Sequence, residues 1–281
     1  MTIAQTIQET RNTIKEWRRQ GYTIGLVPTM GYLHDGHASL MKKAKESCQK
    51  VVVSIFVNPM QFGANEDLST YPRDLEADSR LCESLGVDLI FHPSVEEMYD
   101  PGFCSFVDMT GLTKELCGKS RPIHFRGVCT VVTKLFNIVT PDKAFFGQKD
   151  AQQLAVIKRM TADLNMDIEI VGCPIIREED GLARSSRNVY LNKEERQAAL
   201  ILSKTIQLGQ QMVQQGTRSA SQLLAAMKAS LESEPLARID YVEAVSMDTI
   251  QPIDTLQGQV LVAMAVFIGK TRLIDNFIVE V

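Results

Sequence analysis

Apolar positions along the first 171 residues alternate between two periods. Short, nearly continuous apolar runs at 23–27, 51–57, 88–91, 143–146 and 167–171 read as buried strands. Between them the spacing is helical. Ile3, Ile7, Ile14 and Trp17 precede the first run, and Leu40, Met41, Ala44 and Cys48 precede the second. Residues 75–85 form the third such segment, with Gly86 at its end, and Val128, Val131, Val132, Leu135, Phe136 and Val139 form the fourth. The last carries Leu154, Ile157 and Leu164 behind Asp150, a candidate N-cap. The chain is therefore expected to open with a helix and then to alternate.

Strands alternating with helices predict an α/β fold, a Rossmann-like parallel sheet with helices on both faces, whose ligands bind at the carboxyl ends of the strands. The alternation gives way at 174–187, which contains the polar loop Arg177-Glu178-Glu179-Asp180-Gly181. Helical patterns at 193–215 and 220–233 follow, then strand-like runs at 239–245, 260–267 and 272–279. The expected organisation is a domain over 1–175 that binds the ligand and a smaller C-terminal α+β domain over 176–281 that covers the site.

Composition removes several classes of function. The 281 residues are 44% hydrophobic and 23% charged with a formal net charge of −4, so no strongly basic face is expected and neither nucleic acid nor a membrane is an expected partner. No apolar run reaches the roughly 20 residues needed to span a bilayer, and the first residues lack a signal-peptide pattern, which leads us to expect a cytoplasmic protein. Cys48, Cys82, Cys104, Cys117, Cys129 and Cys173 contain no Cys-x-x-Cys pair, which argues against a zinc or disulfide framework, and Cys48, Cys82 and Cys129 fall within apolar patterns where small buried hydrophobes are expected.

Candidate chemistry gathers at the strand-to-helix junctions. Pro28-Thr29-Met30-Gly31-Tyr32-Leu33-His34-Asp35-Gly36-His37 follows the first strand. Two histidines three residues apart at a helix start project the same way, and Gly36 between them leaves room for a phosphate at a terminus that already favours anions. Structural capping of the helix by the same histidines is an open alternative. Asn58-Pro59-Met60-Gln61-Phe62 leaves the second strand, and Gln61 can hold a hydroxyl or a carboxylate, although an asparagine before proline is also a turn former. At the next junction lies Phe146-Gly147-Gln148-Lys149-Asp150, with a glycine for close approach and a mobile cation. Arg184-Ser185-Ser186-Arg187 offers hydroxyls and a guanidinium to a phosphate group. His124-Phe125-Arg126-Gly127-Val128 reads as a loop with surface polar groups.

Together these segments, with Tyr71-Pro72-Arg73 and Ser185-Ser186-Arg187-Asn188, give the chain a close resemblance to the pantothenate synthetase (pantoate–β-alanine ligase) family of the His-x-Gly-His nucleotidyltransferase superfamily. The resemblance runs along nearly the whole chain. It implies ATP-dependent condensation of pantoate with β-alanine through a pantoyl adenylate, releasing pyrophosphate and AMP. It further implies catalytic roles for His34, His37, Lys149, Ser185, Ser186 and Arg187. ATP would also contact Pro28, Thr29, Met30, Gly31, Gly36, Gly147, Gln148, Asp150, Ile176 and Arg184. Pantoate would be held by Gln61 and Gln153 with Met30 and Asn58, Mg2+ would accompany ATP near Asp78, and the family is typically a homodimer. Many members carry Met or Leu where this chain has Arg184. The rival readings are another nucleotidyltransferase of the superfamily, acting on a phosphate ester, and a nucleotide sensor without turnover.

Overall fold

The structure is a computed structural model that describes residues 1–64 and 66–281. In chain order its elements begin β1 (Thr2–Ala4), α1 (Ile7–Arg19), β2 (Ile24–Thr29), α2 (Asp35–Ser47), β3 (Lys50–Ile55), α3 (Leu75–Ser84) and β4 (Leu89–Phe91). Then come α4 (Val95–Met98), α5 (Cys117–Ser120), α6 (His124–Val139), β5 (Lys143–Gly147), α7 (Ala151–Asp163) and β6 (Glu169–Cys173). The chain ends with α8 (Lys193–Ala198), α9 (Leu200–Gln214), α10 (Ala220–Glu232), β7 (Ala237–Ser246), β8 (Gln259–Ile268) and β9 (Thr271–Glu280).

Two compact units emerge. One comprises Met1–Met109, Ile123–Gln148 and Val156–Pro174; the other comprises Thr110–Pro122, Lys149–Ala155 and Ile175–Val281. The last continuous stretch of the second unit thus begins next to the expected boundary, and two earlier segments join it.

In the first unit six parallel strands run in the order β1-β4-β3-β2-β5-β6. The expected parallel α/β architecture is present. Val27, Val51, Val53, Ile55, Ile90 and Phe145 pack with Leu40, Met41 and Ala44 of α2 and Cys82 of α3, so the helical and strand periods read from the sequence meet in one core. The order reverses at β2, which has β3 on one side and β5 on the other. Its pairing with β5 runs through Gly25 and Leu26, whereas its pairing with β3 continues to Thr29. Pro28, which has no N–H to donate, therefore lies beyond the β5 pairing, where the strands part and an open α/β sheet binds its ligands.

The second unit carries an antiparallel sheet in the order β7-β8-β9, and α9 and α10 pack on it through Leu202, Ile206, Leu223, Met227 and Leu231. No helix among the described residues is long and apolar enough to cross a membrane.

Two local expectations are corrected. The chain opens with a strand, because Ile3 pairs with Ile90 in β1, and α1 starts only at Ile7 behind a Thr6–Glu9 capping box. The spacing of Ile3 from Ile7 imitated a helical repeat across that cap. The continuous pattern at 193–215 is two helices, α8 and α9, that meet at Ala199. All six cysteines are free; Cys48, Cys82 and Cys129 are buried as expected, Cys173 is buried too, and Cys104 is exposed. Burial pushes the Cys82 and Cys129 thiols up to about 12, which keeps them unreactive.

At the end of the sheet away from the ligand edge, Asp88 accepts the Val51 N–H (2.9 Å) and pairs with Lys45 and Lys50, each at 3.0 Å. Burial alone would raise its carboxyl, but these three donors outweigh burial and hold it below its usual value. A lowered folded-state pKa contributes stability that is complete above the unfolded value near 3.9 and is lost as pH falls through the folded value. Asp88→Asn is expected to cost about 1–2 kcal/mol at pH 7 and progressively less in acid. Urea unfolding at pH 7 and below pH 3 checks this; a constant difference would show that the charge is not the cause.

Candidate active site

The segment after β2 turns sharply before entering α2. Gly31 has φ +83° and Tyr32 φ +50°, two successive residues in the left-handed region. The amides freed by this turn are satisfied one by one. Gly31 N–H donates to Thr29 Oγ1 (3.2 Å), Tyr32 N–H to Asp78 Oδ2 (2.8 Å) and Leu33 N–H to Asp78 Oδ1 (2.7 Å). Thr29 in turn donates to the Ser54 carbonyl on β3 (2.7 Å).

His34 is the N-cap of α2. Its Nδ1 accepts from Gly36 N–H (3.1 Å), and His37 Nδ1 accepts from His34 N–H (3.3 Å), a reciprocal capping box built from two imidazoles. The rings lie 4.1 Å apart at 35°. Capping, open as an alternative from the sequence, is therefore a real function of both histidines, and it fixes their chemistry. An Nδ1 that accepts an amide hydrogen places the proton of a neutral imidazole on Nε2, so each ring carries its donor there.

Asp78 is 3% exposed, with both carboxylate oxygens turned to amides. Burial raises its pKa, and the Leu33 and Tyr32 hydrogen bonds oppose that shift. This arrangement is a poor fit for a direct magnesium ligand, because the carboxylate is nearly sealed from solvent and each of its oxygens already accepts a loop amide.

After β3, Asn58 caps a single 3-10 turn, Pro59–Gln61. Its Nδ2 donates to Gln61 Oε1 and to the Gly127 carbonyl, both at 3.1 Å, and its Oδ1 accepts from Tyr99 Oη (2.8 Å) and from Met60 N–H (3.3 Å). Asn58 is thus saturated by protein partners and acts on Gln61. With Oε1 held, the Gln61 amide points its Nε2 toward Met30 Sδ at 3.3 Å, which brings together Met30, Asn58 and Gln61, three residues singled out from the sequence. His124 is corrected from a surface loop residue to a buried one at the start of α6, donating from Nδ1 to the Gln61 carbonyl (3.1 Å). Arg126 is exposed, with its guanidinium 4.0 Å from the Phe106 ring centre.

Gly147 and Gln148 complete the candidates of the first unit; the second holds Lys149, Asp150, Gln153, Ile176 and Arg184 to Arg187. Lys149 Nζ donates to the Arg184 carbonyl (3.1 Å), joining two segments 35 residues apart in sequence, and the Lys149 carbonyl accepts from Asn276 Nδ2 (2.8 Å). Arg184 N–H donates to the Ile176 carbonyl, and Ser185 Oγ accepts from Arg187 N–H, capping a short turn over Ser186–Tyr190. The Arg184 side chain pairs with Glu178 at 3.5 Å, which orients it within its own loop. Asp150 is exposed at the end of the turn Gln148–Asp150, ahead of α7. Gln153 is partly exposed, in contrast to its neighbour Gln152, which is buried and spends its amide on Leu112, Glu115 and Cys117.

Sequence reading missed Tyr99 and Asn276. For Asn276 a signal existed, since Asp275-Asn276 interrupts the apolar run from Leu273 to Val279 and both prove buried, Asp275 on Arg177.

Known proteins match this chain along nearly its whole length. A family model described as pantoate-beta-alanine ligase matches residues 2–278. A pantothenate synthetase of Ruminiclostridium cellulolyticum is 64% identical over 277 residues, which cover 99% of this chain and 98% of the relative. The crystal structure of pantothenate synthetase from Thermus thermophilus superposes with a TM-score of 0.94 at 44% identity, covering 99% of both chains. A pantoate-beta-alanine ligase from Francisella tularensis, complexed with beta-gamma ATP and beta-alanine, gives a TM-score of 0.81 at 35% identity over 99% of this chain and 97% of that one.

The start of α6 holds the 3-10 turn in place by contact without a side chain. A Cβ added at Gly127 would come within 2.4 Å of the Met60 carbonyl oxygen and 2.6 Å of Gln61 N. Gly127→Ala is expected to destabilise the protein by about 1–3 kcal/mol, since backbone rather than a flexible side chain must move. An unchanged urea midpoint would show that the turn yields freely.

Proposed function

Because the chain belongs to the pantoate-beta-alanine ligase family and therefore condenses pantoate with β-alanine at the expense of ATP, we propose that the strand-edge residues described above carry the two half-reactions. In the first, a pantoate carboxylate oxygen attacks the α-phosphorus of ATP and pyrophosphate leaves. In the second, the β-alanine amine attacks the carbonyl of the pantoyl adenylate, loses a proton, and AMP departs. The carrying observation is the reciprocal cap of His34 and His37. Both Nδ1 atoms are occupied by amides, so both rings carry Nε2–H donors at fixed positions at an anion-favouring helix start. Such donors suit charge that develops on the phosphoryl oxygens in the transition state, and His34 is assigned the larger share.

Within the same reading, Lys149, Ser185, Ser186 and Arg187 neutralise the departing pyrophosphate, with the hydroxyls donating singly and the guanidinium in a bidentate fork. The backbone at Pro28 to Gly31, with Gly36, Gly147, Gln148, Ile176 and Arg184, borders the nucleotide, and Asp150 takes a ribose hydroxyl. Gln61 and Gln153 bind pantoate, with Met30 beside it and Asn58 fixing the Gln61 amide. Magnesium enters as the companion of the ATP phosphates. A homodimer and a cytoplasmic location belong to this proposal too; six free cysteines support the latter, since a reducing compartment keeps thiols unpaired. The full-length family match leaves the phosphate-ester transferases and a silent nucleotide sensor without support.

Pantoate-dependent exchange of labelled pyrophosphate into ATP, run without β-alanine, tests the adenylate step. Wild-type protein is expected to exchange, and a folded chain that does not would overturn the proposal. His34→Asn should keep the helix cap, because an asparagine oxygen can accept the same amide, yet lose exchange by about 10²–10³-fold for want of the Nε2–H donor. His34→Ala should lose about 1 kcal/mol of stability as well. Exchange that survives in the asparagine variant would confine His34 to capping.

Gln61→Ala is expected to raise the pantoate KM by about tenfold, the equivalent of a hydrogen bond of about 1.4 kcal/mol, with a smaller change for ATP. A defect selective for ATP would move Gln61 to the nucleotide.

A further inference from the structure

Asp78 sits on α3, 44 residues from His34 in sequence, and its hydrogen bonds go to the peptide backbone immediately before the histidine pair rather than to either ring. Its two oxygens accept successive N–H groups, those of Tyr32 and Leu33, at 2.8 and 2.7 Å. Those amides face one carboxylate only because Gly31 and Tyr32 both take left-handed backbone angles. For Tyr32 that angle is a cost of order 1 kcal/mol, so something must compensate it. The side chain is nearly sealed from solvent, and no room remains on the inner side of the turn. A Cβ on Gly31 would meet Asp78 Oδ2 and Ile55 Cγ2 at 3.0 Å each.

We propose that Asp78 is a positioning residue that sets the register of the His34–His37 pair through the Tyr32–Leu33 backbone, and that it is not a ligand of magnesium. The inference rests on the adenylation reading of those histidines. Two features make the carboxylate specific for this task. Only a side chain with two acceptor oxygens on one carbon satisfies two adjacent amides at once; an asparagine would turn its own NH2 toward one of them. And α3 is anchored independently, by its Asp74 cap and by Cys82 in the core of the sheet, so the loop is referred to the rigid scaffold rather than to another loop.

The consequence is geometric. His34 N–H donates to His37 Nδ1 and His34 Nδ1 accepts from Gly36, so a shift of the chain at Leu33 moves both rings together. A misplacement of about 1 Å at a reacting centre can cost about 10²-fold in rate. Magnesium binding, by contrast, has no reason to respond.

The test is single-turnover adenylate formation with wild-type protein, Asp78→Asn and Gly31→Ala, each measured over a magnesium titration and accompanied by urea unfolding. Asp78→Asn is expected to slow adenylate formation by about 10²-fold at saturating ATP, pantoate and magnesium, while the half-saturating magnesium concentration stays within about twofold of wild type. Gly31→Ala disturbs the same turn without touching the carboxylate's charge and should give the same signature. A metal ligand predicts the opposite pattern. The half-saturating magnesium concentration would rise at least about tenfold for Asp78→Asn, its rate would recover at high magnesium, and Gly31→Ala, whose Cβ would press on Asp78 Oδ2, would raise that concentration too. Either that pattern or an unchanged rate in folded Asp78→Asn overturns the proposal. Should Asp78→Asn not fold, Gly31→Ala decides: a slowed rate at unchanged magnesium dependence supports positioning through the turn, and an unchanged rate refutes it. Failure of wild-type protein to form adenylate would instead refute the underlying reading of the site.

Discussion

The structure of the first unit depends on one constraint: the amide hydrogens released where the chain leaves β2 must find acceptors before α2 begins. A parallel strand ends abruptly at its ligand edge, and a helix start leaves its first N–H groups without intrahelical partners. Between Thr29 and Ala38 the chain meets this demand with short-range and long-range acceptors in succession. Thr29 Oγ1 takes Gly31, the Asp78 carboxylate takes Tyr32 and Leu33, His37 takes His34, His34 takes Gly36, and the His34 carbonyl takes Ala38. The two imidazoles are part of that accounting. Their tautomer follows from it, and the chemistry assigned to them uses the atom that capping does not.

This answers why histidine rather than a common capping residue occupies the N-cap. Serine or aspartate would satisfy Gly36 N–H as well, but each spends its only useful group in doing so. Imidazole has two nitrogens on opposite sides of a rigid ring. One can be committed to the backbone while the other projects a donor whose direction is already fixed, with little left to reorganise when charge develops nearby.

Much of this was legible in the sequence, and the limits have physical causes. The α/β alternation was readable because buried parallel strands are continuous apolar runs and the helices between them keep one face. The histidine pair, Lys149 and the Ser185–Arg187 triplet stood out because they follow such strands or loops directly. The backbone contacts of Asp78 were not legible, because an aspartate on an amphipathic helix carries no mark of what it accepts; its partners are amides 45 and 46 residues away. His124 was misread for a related reason. Its partner is the Gln61 carbonyl, and a backbone acceptor leaves no trace in the residue type. Tyr99 was invisible because a tyrosine among aromatic neighbours looks like core until its hydroxyl is seen on Asn58. At Ile3 local periodicity misled because a three-residue strand is too short to show a period of its own.

The site candidates also differ in how they are held, and the difference matches the roles proposed for them. In the first unit the donors are neutral and close to the backbone: imidazole Nε2–H groups behind a capping box, and a Gln61 amide whose oxygen is fixed by Asn58, itself fixed by Tyr99 and Gly127. In the second unit Lys149 and Arg187 carry full charges on long flexible stems, and Lys149 Nζ rests on the Arg184 carbonyl. A carbonyl is a weak tether for an ammonium compared with a carboxylate, so the cation gives it up for a phosphate at little cost. Had Lys149 been paired with Glu178, that exchange would mean breaking an ion pair. Instead Glu178 is occupied by Arg196 at 2.6 Å and by Asn188 at 2.9 Å, and those donors hold its carboxyl below the usual range despite burial. The Glu178 charge is thereby committed to partners other than Lys149.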